Sequence, residues 1–154
     1  MKCLRLVFAI LLMVVATPQG VLAQHTAADS TLARQLGADS RGMHRYVMAL
    51  LREGAMARHM DTTVSNPLLR GHLENITKLA NTGKLVLAGP FLDDTSLEGI
   101  FIFNVETVAE AEKLVATDPA VRAQLFSIEL HPWYGPASLQ EVVPLHRRIT
   151  LGAQ

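Results

Sequence analysis

Four apolar runs alternating with two amphipathic stretches constrain this chain more than any other feature of its sequence. Tyr46-Val47-Met48-Ala49-Leu50-Leu51, Lys84 to Phe91 and Gly99 to Val105 are nearly continuous in apolar residues, and Phe126 to Leu130 is mixed. β-branched and aromatic side chains make Gly99 to Val105 the clearest strand of the set. The link Leu92-Asp93-Asp94-Thr95-Ser96-Leu97 is short and turn-like, so the second and third runs are expected to pair antiparallel.

Between the first two runs, Leu69, Leu73, Ile76 and Ala80 recur at helical spacing, opposite Glu74, Asn75, Lys78 and Asn81. Ser65-Asn66-Pro67 reads as the start of that helix. After the third run, Val108, Ala111 and Val115 repeat the pattern, with Thr107 in position to cap. The order is therefore strand, helix, strand, strand, helix, strand. Two such units predict an α+β, ferredoxin-like βαββαβ arrangement with an antiparallel sheet and both helices on one face.

Runs that are apolar on both faces imply burial on both faces, and two helices cover only one. A second subunit packed on the free face, closing a dimeric α/β barrel, is the expectation. Cover by the N-terminal arm and the C-terminal tail is the alternative, because exposed apolar patches of several hundred square ångström are rare on monomers.

The chain's ends carry a different signal. Lys2 and Arg5 precede an apolar run from Leu6 to Ala16, a Thr17-Pro18-Gln19-Gly20 break, and Val21-Leu22-Ala23. That pattern predicts an export signal over residues 1–23, too short to span a bilayer, which needs about 20 apolar residues. Residues 24–42 then form an arm with a short helix from Asp29 or Ser30 to Leu36, stopped by Gly37. The domain occupies 43–134 and a tail 135–154. A periplasmic or secreted protein is expected, with no membrane attachment after cleavage.

The single cysteine, Cys3, falls inside the export signal, so the mature chain is expected to use neither disulfides nor thiolate chemistry. Removing Lys2 and Arg5 from the 14 basic residues leaves 12 against 14 acidic ones, a formal charge of −2. Such a surface has no long-range attraction for nucleic acid or anionic lipid.

Arg70-Gly71-His72-Leu73, Thr82-Gly83-Lys84-Leu85-Val86-Leu87-Ala88-Gly89-Pro90, Asp118-Pro119-Ala120-Val121 and Leu130-His131-Pro132-Trp133, in this order and spacing, resemble the YCII-related (YciI-like) family. The similarity runs from about Arg45 to Trp133. It implies the ferredoxin-like fold, a dimeric barrel, and a histidine and aspartate proposed in that family as an active-site pair, which match His72 and Asp118 here. A relative of the group acts on chlorinated muconolactone-type compounds, and the wider superfamily includes muconolactone isomerases and small-molecule monooxygenases. Typical members are short and cytoplasmic, whereas this chain adds an export signal, an arm and a tail.

Among the candidate site residues, His72 falls about 60° from Leu69 on a helical wheel, at the flank of the apolar stripe. It is either a ring hydrogen-bonded at the rim of a core or a proton-transfer group, and imidazole titrates near neutrality. Asp118 before Pro119 reads equally as the N-cap of a helix from Ala120 to Phe126. Gly89, Pro90 and Phe91 end the second strand near the first helix and are expected to line a cleft beside His72. Trp133, which with Tyr134 closes the last strand, is either a packing residue or further pocket lining.

The six histidines show no paired or HExxH spacing, so no metal is expected. Neither a phosphate-binding glycine loop nor a nucleophile elbow is present, and no cofactor is expected. Two functions follow. One is a lyase- or isomerase-like enzyme moving a proton on a small organic ligand through His72 with Asp118, and the other is a non-catalytic dimeric protein that binds such a ligand.

Overall fold

The computed structural model describes residues 28–93 and 95–151, so residues 1–23, read above as an export signal, the first residues of the arm and residues 152–154 lie outside it. The first helix, α1 (Ser30–Gln35), is capped by Asp29, whose carboxylate accepts from the amides of Thr31 and Leu32 at 2.9 and 3.0 Å. Gly37 follows with φ of +59°, the left-handed conformation that ends helices at glycine.

β1 (Met43–Glu53) is longer at both ends than the apolar run Tyr46 to Leu51, because it pairs along its whole length with β4 (Phe126–Pro136). β4 likewise runs through His131-Pro132-Trp133-Tyr134 and on to Pro136. It lies at the edge of the sheet, where the N–H that Pro132 lacks is not needed for a second ladder. β2 (Leu85–Pro90) and β3 (Leu97–Phe103) form the expected antiparallel hairpin. β3 begins two residues earlier than expected and leaves Asn104 and Val105 outside.

The long helix α2 (Thr62–Asn81) starts one turn before Ser65-Asn66-Pro67. Asp61 is its cap, accepting from the amides of Thr63 and Val64 at 2.8 and 3.2 Å, and Pro67 is absorbed in the second turn at the loss of one backbone bond. α3 (Val108–Val115) carries the expected cap at Thr107, which forms a reciprocal capping box with Glu110. α4 (Pro119–Arg122) is a single turn that does not reach Phe126, since Gln124 turns left-handed at φ 57° and sends the chain into β4. The tail holds a 3₁₀ turn (Ala137–Glu141) and a final helix, α5 (Val142–Ile149), which packs against β2.

The sheet order is β2-β3-β1-β4 with every neighbouring pair antiparallel, the ferredoxin-like topology, and the fold is α+β. On one face, Val47, Ala49 and Leu51 of β1 meet Phe101 and Phe103 of β3, Leu79 of α2 and Ala111 of α3 in the main core. Large side chains of this kind each contribute about 1.5–3 kcal/mol by leaving water. On the other face Tyr46, Val86 and Ile102 are buried, with Leu139 from the 3₁₀ turn packed on them. The tail thus covers part of this face. Met48, Leu50 and Ile100 on the same side stay half-buried. No described helix is long and apolar enough to cross a membrane.

Candidate functional site

α2 is rolled relative to the expected stripe. Leu73 is 62% exposed and Leu69 is also open, whereas His72 and Leu79 are each 7% exposed. His72 therefore sits in the buried face rather than at its flank. The ring is held there by aromatic neighbours, stacking near Phe101 with centroids 5.7 Å apart and lying 5.0 Å from Phe126 at a tilt. A buried imidazole also needs a polar partner, and Asp118 provides it.

Asp118 is 2% exposed and divides its two oxygens. Oδ2 lies 2.6 Å from His72 Nδ1, while Oδ1 accepts from the amides of Ala120 at 2.9 Å and Val121 at 3.4 Å. The aspartate thus caps α4 with one oxygen and meets the imidazole with the other. Burial alone would push the Asp118 carboxyl up, but the hydrogen bond and charge of His72 and the two amides outweigh it and hold the group below its ordinary 3.8.

The close approach that brings Asp118 to His72 depends on the residue before the histidine. A Cβ at Gly71 would fall 2.7 Å from Pro119 Cγ, so only a bare backbone lets α4 dock on α2 at this point. Gly71 lies in the sequence as a mid-helix glycine, which is the one signal that could have singled it out.

A cleft of about 360 Å³ opens beside the imidazole. Leu51, Leu73, Ile76, Phe101 and Phe126 form apolar walls, and Ala88, Gly89, Pro90 and Gly99 contribute the adjoining strand surfaces. Glu98 completes the lining and was not anticipated as a site residue. His72 Nε2 has no hydrogen-bond partner among the described residues, yet it is not sealed from solvent. With Asp118 accepting from Nδ1–H, the neutral ring keeps its lone pair on Nε2.

Of the residues singled out from sequence, His72, Asp118, Gly89 and Pro90 gather here. Phe91 follows β2 outside the cleft lining. Trp133 belongs to the opposite side of the sheet, where its ring lies 5.9 Å from that of Tyr46 and over the backbone of Gly135. Among the described residues no three His, Cys, Asp or Glu side chains gather into a metal site.

A four-stranded α+β protein with a buried histidine-carboxylate pair at the edge of an apolar cleft is the class that fold and geometry define. The chain belongs to the YCII-related family, whose domain matches residues 46–134. Among solved structures it is similar to 5-chloro-2-hydroxyhydroquinone dehydrochlorinase from Burkholderia phenoliruptrix AC1100, described in complex with 2,5-dihydroxybenzoquinone. The identity is 20% and the TM-score 0.42, over 56% of this chain and 92% of that one. No match was found among curated proteins.

Proposed function

We propose that the chain is an exported homodimeric enzyme that moves a proton on a small organic ligand, in a lyase- or isomerase-like reaction at the His72 cleft. His72 Nε2 takes the proton, and Asp118 holds the ring in one tautomer and stabilises the imidazolium that results. The observation that carries the reading is the 2.6 Å contact between His72 Nδ1 and Asp118 Oδ2, made beside a cleft with Nε2 left unpartnered. The apolar walls would strengthen that electrostatic pairing by keeping water away.

The dimer reading is supported by the half-buried Met48, Leu50 and Ile100 on the face opposite the helices. The test of function is turnover of small cyclic organic candidates by the mature protein and by His72→Gln. Loss of turnover with the fold intact supports proton transfer at His72. Unchanged turnover overturns it, and ligand binding without any turnover leaves the non-catalytic binding protein.

A further inference from the structure

We propose that Glu98 sets the ligand selectivity of the His72 cleft, admitting small, largely apolar neutral molecules that bear a hydroxyl or amino donor and rejecting carboxylates. The inference rests on the reading of the cleft as a ligand site and deepens it.

The register of β1 against β3 supplies the first observation. Leu51 pairs with Gly99 but Arg52 pairs with Leu97, so β3 holds one extra residue, Glu98, at a β-bulge. Bulges break the alternation of side chains and redirect one residue, and they concentrate beside functional clefts. Glu98 lines both the His72 cleft and the adjoining hollow that Ser65, Leu69 and Phe126 border. Gly99 next to it adds no bulk, and a Cβ there would fall 2.9 Å from the Gly89 carbonyl oxygen.

Charge supplies the second. Every lining residue other than His72 and Glu98 is apolar or glycine, and no lysine or arginine takes part. A carboxylate ligand would find no cation to pair with except the imidazole, and that ring already faces Asp118 on its far side. Glu98 is itself exposed, so an entering anion would meet it as a like charge that water partly screens. A hydroxyl or amine, by contrast, gives Glu98 the donor it can accept, while an apolar ring fills about 360 Å³ with room to spare.

Phenol, aniline and benzoate, matched in size, are titrated into the mature protein and into Glu98→Gln, with the His72 imidazole resonances as the readout. In the native protein phenol and aniline are expected to shift those resonances and benzoate to leave them unmoved. Glu98→Gln should weaken phenol and aniline about threefold and strengthen benzoate by a similar factor, the scale of a charge effect at a solvent-exposed group. If the probes shift His72 but the preference for phenol over benzoate is the same in both proteins, the role of Glu98 is overturned and the cleft stands. If none of the three moves His72 in either protein up to ~20 mM, weaker than the millimolar range of the smallest ligands, the cleft reading falls and this inference with it.

Discussion

Gly71 and Pro119 meet where α2 and α4 cross, closely enough that an added Cβ on the glycine would stand 2.7 Å from Pro119 Cγ. The contact places Asp118, the residue before the proline, against His72, the residue after the glycine. Gly71→Ala is therefore expected to push α4 outward. Overpacking costs about 1–3 kcal/mol, and the better helix propensity of alanine offsets about 1 kcal/mol of that. The net loss should appear in chemical denaturation, together with a disturbed His72 Nδ1 proton resonance. Equal or greater stability with an unchanged resonance would show that α4 yields freely.

Asp118 does two jobs that two substitutions separate. Asp118→Asn keeps an oxygen for the Ala120 and Val121 amides but can turn its amide donor toward His72 Nδ1, reversing the tautomer. Its stability should fall by about 1–2 kcal/mol while any turnover drops sharply, because the lone pair then leaves Nε2. Asp118→Ala loses the cap as well and should cost about 3 kcal/mol. Imidazole ¹⁵N shifts distinguish the tautomers, and unfolding curves give the two losses.

The pH dependence follows from the lowered Asp118 carboxyl. In the unfolded chain the group titrates near its ordinary 3.8, and in the folded chain below it. The folded state therefore binds fewer protons in that window, so this contribution is complete above about pH 5 and fades as pH falls through and below 3.8. Asp39, Asp61 and Glu110, which are exposed, and Glu53, which is half-buried, are also held low by hydrogen bonds and act alike in the native protein and in Asp118→Asn. The stability difference between those two proteins, measured at pH 7, 4 and 3, should accordingly shrink with acid. A difference that stays constant would contradict the assignment.

The face opposite the helices gives a prediction about assembly. Ile100 stands half-buried on that face beside Leu50. Ile100→Asp should leave the helix-side core intact yet weaken a face-to-face dimer by about 100-fold, the effect of a charge in the middle of an apolar interface. Native mass spectrometry at micromolar protein should show two chains for the unaltered mature protein and one for the variant. A native protein that is one chain throughout would mean that Leu139 and the rest of the tail are cover enough.

Sequence alone determined the order of strands and helices, the hairpin between β2 and β3, the Thr107 cap and the family, because these depend on local periodicity, turn chemistry and short motifs. It also pointed to His72 and Asp118 as a pair. Which way α2 faces was decided by tertiary structure. The Leu69, Leu73, Ile76 stripe would turn His72 to the flank, but a bond to Asp118 and two phenyl rings reward burying the imidazole, and Leu69 and Leu73 are left at the surface. Tertiary structure likewise made Glu98 a cleft residue, since a bulge exists only in the register between two strands, and a strand read by itself has no register. The choice posed for Asp118, cap or partner, dissolved for the same physical reason: a carboxylate has two oxygens, and only the crossing of α4 over Gly71 brings a second partner to the one the cap leaves free.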